Sequence, residues 1–331
     1  MIQLSKHKIA GLFFCIITGT LFAEEFPPIK TFPYTVSLSQ SAGFLYGAGE
    51  ERVYKTDGAV LSKLTWEMKP LFYYGAGLDF SRRNKHEKPG FSTALSLKAG
   101  IPSMSGFMED QDWNTPSGEL SNYSAHYNYT EGALILDYKA GLSIPLYSRF
   151  LLELYLGFSW MHFNWNARDG YIRYPKDQYG NYLSDTPLGP DEKKDIWSGP
   201  AVAYSQEWLL AFPGVGLSLR INRFFSAAFS FQMSPLIFCR AKDNHFATGT
   251  EYSDSMDFGM YTEPRAEISF IPRERLSLSL YCSWRNLEAD PGSSRSRKTG
   301  INTGSAAIEL ENESGAAWKA FDSGIRVSLR F

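Results

Sequence analysis

Two pairs of residues in this chain have the types and the spacing to activate water. Asp110-Gln111-Asp112-Trp113 carries two carboxylates two positions apart, and Asp243-Asn244-His245 carries a carboxylate and an imidazole at the same spacing. In an extended backbone the side-chain period is two, so each pair shares one face of its strand. An imidazole held by Asp243 has a fixed tautomer and enough basicity to take a proton from water, and Asp110 with Asp112 can hold that water from the other side. Mixed carboxylate and imidazole ligands also suit a divalent metal, and spacing alone leaves both readings open. Other chemistries lack their motifs: there is no Gly-x-Ser-x-Gly elbow, His-Glu-x-x-His helix or phosphate loop. Cys239 lies six residues before His245, roughly 20 Å along a strand, which is too far for a thiolate–imidazole pair. A small buried role suits it better.

The segments that must position these groups alternate. Phe91, Thr93, Leu95, Leu97 and Ala99 interleave with small or polar residues, as do Val215 to Ile221, Phe225 to Met233, Leu276 to Leu280, and Ile325 to the terminal Phe331. One face is apolar and the other small, polar or charged, the pattern of strands. Aromatics make up 15% of a chain whose mean hydropathy is −0.26, a composition that fits a closed barrel with aromatic girdles and a polar lumen. Residues 63–82 alone make a strand of about 65 Å, where a tilted membrane strand needs only about 9–11 residues. Short connections at 83–88, 147–149, 222–223 and 272–275 alternate with long polar ones at 49–60, 109–122, 168–200, 247–259 and 288–315. Short inner turns and long outer loops in this order predict an all-β fold: a ten-stranded antiparallel transmembrane β-barrel extending above the outer membrane.

Odd-numbered strands then run outward. Glu51 on the first strand, Asp110 and Asp112 on the third, and Asp243 and His245 on the seventh all reach the outer rim. The third and seventh strands of ten are nearly opposite, so the two pairs face each other across the mouth, with Glu51 expected beside the third strand. One parity conflict arises. The odd residues of 225–233 are the apolar, outward set, yet Asp243 and His245 must point inward, so one extra residue has to enter the seventh strand. Pro235, which cannot donate to a ladder, is the expected place.

The ends and totals fix the compartment. Lys6 and Lys8, the apolar run 9–22 and Ala23 have the layout of a secretory signal peptide, 1–23, followed by a single barrel domain, 24–331. The bulky Phe14 before Cys15 argues against a lipoprotein. No later segment has the about 20 consecutive apolar residues of a spanning helix. Loss of the two lysines takes the formal charge from −2 to −4, which implies no general affinity for nucleic acid. Only Cys239 and Cys282 remain in the mature chain, so no disulfide framework is expected.

Asp110-Gln111-Asp112-Trp113 resembles the signature of the omptins, the outer-membrane proteases of Gram-negative bacteria, and Asp243-Asn244-His245 resembles its second half. Glu51-Arg52-Val53-Tyr54 with Leu61-Ser62-Lys63-Leu64-Thr65-Trp66, Ala167-Arg168-Asp169-Gly170 and Trp284-Arg285 extend the resemblance over almost the whole mature chain. It implies an aspartyl-type endopeptidase of the omptin kind, with peptide or protein substrates, an outer-facing site and neither metal nor other cofactor. It also assigns roles. Asp243 orients His245, His245 with Asp110 positions the attacking water, Asp112 completes the carboxylate couple, and Glu51 binds substrate. The family binds a basic side chain with two acids, and the second of these falls on Ala241, with Lys242 beside it. Its lipopolysaccharide-binding cluster falls on Phe158, Trp160 and His162, which suit outer-membrane lipid but form no phosphate clamp, so dependence on lipopolysaccharide is not expected. The basic stretch Arg295-Ser296-Arg297-Lys298 is expected to be a solvated loop. The alternatives are a non-enzymatic barrel, adhesin or narrow pore, and a degenerate, inactive omptin.

Overall fold

The computed structural model describes residues 34–82, 89–147, 149–273, 275–298 and 308–331, the side chains of 82 and 309–312 excepted. The expected leader and the turn at 83–88 lie outside the described residues. The strands are β1 (Tyr34–Tyr54), β2 (Val60–Arg82), β3 (Gly90–Gly100), β4 (Ser103–Asp112), β5 (Asn122–Tyr147), β6 (Phe150–Arg173) and β7 (Asp195–Arg220). They continue as β8 (Phe225–Ser234), β9 (Ile237–His245), β10 (Thr250–Asp257), β11 (Gly259–Arg273), β12 (Leu276–Ala289), β13 (Gly292–Lys298) and β14 (Ile308–Arg330).

Four pairs of these strands run end on end, β3 with β4, β8 with β9, β11 with β10 and β12 with β13, so that the sheet has ten antiparallel staves. It closes on itself where β1 pairs with β14, from Ser37 opposite Arg330 to Val53 opposite Ser314. Closure leaves no unpaired edge, the condition for spanning a bilayer with strands.

The alternation sorts the side chains into two regimes. Over the lower barrel the large apolar residues face out: Phe72, Leu78, Leu142, Leu156, Phe229 and Leu280 are all exposed. Inside that belt the side chains are polar and paired. Lys98 meets Asp322, and Arg285 bonds Glu263 Oε2 at 2.5 Å and Asp137 Oδ2 at 3.1 Å. Arg285 thus holds two acids of two other staves inside the barrel. Replacing it with Met strands both, and a broken buried pair costs about 3–5 kcal/mol. A lowered urea midpoint of the detergent-folded Arg285→Met barrel, largely recovered when Glu263→Gln and Asp137→Asn are added, is the expected result; an unchanged midpoint counts against this account.

Above the belt the order inverts and an apolar core fills the barrel. Trp66, Phe163, Trp165, Tyr204, Trp208 and Trp318 are buried and come from four staves. Trp66 stacks on Trp165 at 6.1 Å and on Tyr204 at 5.3 Å, and Phe163 joins Trp165 to Trp318. Gly49 makes room for this layer: a Cβ there would sit 2.9 Å from the Trp165 ring. A packed floor of this kind argues against the pore alternative.

The predicted extra residue is present, and two neighbours share it. Between the pairs Leu210–Ile237 and Gly214–Gln232, four steps of β7 face five steps of β8 and β9. Odd residues point out in β8 and in from β9 onward. The change falls at Pro235 and Leu236, as the missing donor of proline requires. In the next two staves the same change falls at Phe258 and Gly259, with φ of 68° and 142°, and at Asp290-Pro291. The ladder absorbs it against β14, where three steps face four between Ser314–Gly292 and Ala317–Glu288.

Two expectations need correction. The stretches 247–259 and 288–315 are not long loops: β10 and β13 occupy much of them, and Arg295 to Lys298 is strand, with Arg297 paired to Glu251 at 2.7 Å. These segments stand above the bilayer, as expected from β5 and β7 at 26 residues each. Their outer faces meet water, so nothing selects an apolar alternation there.

Candidate functional site

The register puts the acids directly on the aromatic floor. On the third stave Asp112 is opposite Ser62, Asp110 opposite Leu64 and Met108 opposite Trp66, so the carboxylates sit one and two side-chain layers above the tryptophan. On the seventh stave His245 is opposite Val202, Asp243 opposite Tyr204 and Cys239 opposite Trp208. Cys239 is buried in the core, six residues below the imidazole, as its spacing implied. The structure therefore brings both pairs to the same level of the same mouth.

Each pair has its own support. Ser62 Oγ donates to Asp110 Oδ1 at 3.5 Å, and Asn122 Nδ2 donates to Asp112 Oδ2 at 3.3 Å. Behind them the returning loop is tied by the Ser121 amide to the Asp112 carbonyl, 2.7 Å. Across the mouth, Asp243 is 1% exposed, and its Oδ2 pairs with His245 Nε2. That bond leaves Nδ1 as the imidazole nitrogen free to meet water. The Tyr252 ring stands edge-on to the imidazole at 5.6 Å and limits its rotation.

The two halves interact electrostatically. Burial pushes the Asp110 carboxyl up to about 8, and the like charge of Asp112 adds to it, while His245 acts the other way. Asp112 is also raised, by burial above all. For His245, burial favours the neutral ring, but the Asp243 bond and charge, with Asp110 and Asp112 behind them, outweigh it and raise its pKa. The two pairs thus lie within electrostatic reach of one another across the mouth.

Glu51 connects the two sides of the mouth. It is buried on β1, and its carboxyl meets that of Asp243, with Asp254 next and Asp110 further off. Its backbone keeps the expected place, because Glu51 is opposite Leu64 and Leu64 is opposite Asp110, while its carboxyl reaches across to Asp243. Burial and these acids raise its pKa well above the carboxylate range. Lys242 does not weaken this negative cluster, because alternation turns it to the outer face, where it pairs with Glu251 at 3.2 Å.

Three groups near the site were not foreseen. Asp254 lies on β10, in a stretch read as loop, although Thr250, Tyr252, Asp254 and Met256 alternate and could have revealed it. Tyr174, just past β6, is close enough to Asp110 and Asp112 for their charge to raise its pKa after burial does. His126, buried on β5, accepts or donates at 3.1 Å to Ser124 Oγ, and Ser124 is opposite Asp110 in the ladder. Among the described residues no three His, Cys, Asp or Glu side chains converge closely enough to hold a metal ion. A cavity of about 1230 Å³ opens at the opposite, short-turn end and is lined by residues such as Asp79, Arg265 and Arg326. It is the polar lower lumen and has no part in this cluster.

Fold and site together define a membrane-spanning β-barrel with an acid and imidazole cluster at its outer mouth. Residues 32–331 match the omptin family model. The chain belongs to the omptin family of outer-membrane proteases, and its place is the outer membrane, with the mouth facing outside. Among solved structures it is similar to the outer membrane protease OmpT of Escherichia coli, at 18% identity over 94% of this chain and 99% of that one, with a TM-score of 0.76. Slighter likenesses, at TM-scores of 0.39 and 0.35, are to OprG of Pseudomonas aeruginosa (10% identity, 90% of this chain and 95% of that one) and to the transport unit of the autotransporter AIDA-I of Escherichia coli (12%, 96% and 96%). No curated protein matches the chain.

Proposed function

We propose that this protease is an endopeptidase that cuts peptide bonds with a water held between His245 and Asp110. Asp243 holds the imidazole by Nε2, and Nδ1 takes a proton as the water oxygen attacks the scissile carbonyl carbon. Asp110 accepts the second hydrogen of that water, and Asp112 keeps the acid pair negative enough to hold it. The proton on Nδ1 then passes to the departing amine nitrogen as the C–N bond breaks, leaving a carboxylate and an amine with no covalent enzyme intermediate. Glu51 faces the substrate side chain beside this centre. The observation that carries the reading is the pair of the buried Asp243 with His245 on one stave, at the same mouth as Asp110 and Asp112, which Ser62 and Asn122 hold on another.

The test is hydrolysis of a peptide panel by detergent-refolded protein in water enriched in heavy oxygen. Incorporation of one solvent oxygen into the new carboxyl, no trapped acyl-enzyme, and full activity in excess chelator are expected. Activity abolished by chelator and restored by a divalent metal points instead to the metal reading. The outer face at Trp160, whose Nε1 donates to Glu207 at 2.6 Å, and His162, stacked on it at 6.1 Å, carries no arginine. Activity without added lipopolysaccharide is expected accordingly.

A further inference from the structure

At the inner end of the barrel, the short turns set arginines beside exposed aromatic rings. We infer that this end binds the phosphate groups of anionic phospholipid, with Arg149, Arg223 and Arg273 as the clamps. The inference is independent of the chemistry at the outer mouth.

The turn from β5 to β6 reads Tyr147-Ser148-Arg149-Phe150, and the turn from β7 to β8 carries Arg223-Phe224-Phe225. β11 carries Phe270 and then Arg273 before the turn to β12. Because β5, β6, β7, β8, β11 and β12 are neighbours in that order, the three turns follow one another along a single arc of the rim. Strand ends add to the arc. The Arg220 amide donates to the Arg149 carbonyl at 2.8 Å, and the Arg330 amide to the Arg275 carbonyl at 2.8 Å. All six arginines are exposed.

These guanidinium groups are not used up inside the protein. Among the described residues no acid side chain pairs with Arg149, Arg220, Arg223, Arg273 or Arg330, and Glu267 is held by Arg265 and Arg326 of the lumen instead. Glu274, between Arg273 and Arg275, lies outside the described residues. An arginine fork takes two phosphate oxygens at once, which a lysine cannot do, and every cation of the described arc is arginine.

The rings set the depth. Tyr147 is 78% exposed, Phe225 packs on Phe270 at 5.2 Å across two strands, and the Arg223 guanidinium lies over the Phe224 ring at 4.4 Å. Exposed aromatics at the strand ends of a barrel mark the boundary between hydrocarbon and headgroups, so arginines beside them stand at the level of lipid phosphates. A lipid suits the arc better than a soluble anion. The lumen behind it offers Asp79, Glu153 and Glu267 along with Arg220, Arg275 and Arg330, whereas the turn arginines adjoin lipid-facing rings.

The experiment is native mass spectrometry of the refolded protein released from non-ionic detergent, with dioctanoyl phosphatidylglycerol and dioctanoyl phosphatidylcholine titrated separately. Wild type is expected to hold phosphatidylglycerol at least about tenfold more tightly. Arg149→Gln, Arg223→Gln and Arg273→Gln together are expected to bring the two lipids within about twofold, with heat-modified mobility unchanged. Lys at the same three positions keeps the charge but loses the fork, so its preference is expected to fall between the two. Arg240→Gln with Arg297→Gln removes charge from the outer wall and is expected to leave the preference as in wild type. No preference in wild type, or an undiminished one in the triple Gln variant, overturns the inference. Should that variant fail to refold, a wild-type preference in the triple Lys variant overturns the clamp. Displacement of the lipid by sn-glycerol 3-phosphate at comparable concentration also overturns it, because the arginines then serve a soluble anion.

Discussion

His245→Ala is expected to lower kcat by about three to four orders of magnitude, with little change in KM. General acid–base catalysis contributes about 10²–10⁴ in rate, and this imidazole is asked to act twice, first taking the proton of water and then delivering it to the amine. The neighbouring acids do not replace it: Asp243 is sealed beneath the ring, and Asp110, raised to about 8, shares its proton with the cluster near neutral pH. Asp243→Asn is expected to fall almost as far, because an amide that must donate to Nε2 puts the ring proton on Nδ1, the nitrogen that has to accept. Steady-state kinetics on one peptide, with circular dichroism and heat-modified gel mobility to confirm the barrel, decides the matter. His245→Ala activity within tenfold of wild type would falsify the mechanism.

The placement of these proposed residues was legible in the sequence to different depths. Asp110 with Asp112 and Asp243 with His245 could be placed because each pair lies at a strand period and because counting turns fixed which strands run outward. The parity conflict between Met233 and Asp243 was also readable, since Pro235 is a local cause. Its spread through Phe258 and Pro291 was not, because a ladder transmits one strand's extra residue to its neighbours and pairing register is a property of the whole sheet. Asp254 was missed for a physical reason too. Above the membrane the outer face of β10 meets water, so the apolar alternation that marks a lipid-facing strand disappears, and a Ser- and Asp-rich strand looks like a loop.

The aromatic floor links the fold to the chemistry. Trp66, Trp165 and Tyr204 fill the barrel just below the acids, which keeps water from reaching them from beneath. Carboxyls above a floor of this kind lose hydration, and burial is indeed the largest influence on Asp110, Asp112, Glu51 and Asp254. The same stacking that closes the lumen therefore tunes the site. A barrel of this width with a wet lumen throughout would leave its acids near their ordinary values.

Activity and stability are then expected to run in opposite directions with pH. The attacking water needs a base, so kcat/KM rises as the cluster of His245 and Asp110 gives up its proton. Its midpoint is above the ordinary histidine value of about 6.5 and near the Asp110 value of about 8. Asp112→Asn removes a charge that lifts both groups, so the midpoint moves down. Stability has the other sign. A carboxyl at 3.8 when unfolded and about 8 when folded binds its proton more tightly in the folded state, so stability falls as pH rises between those values. The raised His245 acts in the same sense: what it contributes is present below its unfolded pKa and is lost as pH rises through the folded one. Asp110→Asn cannot ionise, so it is expected to be more stable than wild type at pH 8 by about 2 kcal/mol, with no such gain at pH 4, while its activity drops by about 10²-fold or more. Urea unfolding at the two pH values, beside kcat/KM from pH 5 to 9, measures both slopes. Parallel slopes, or an Asp110→Asn barrel that is less stable than wild type at pH 8, contradict a site that keeps its water-activating acids at a cost to the fold.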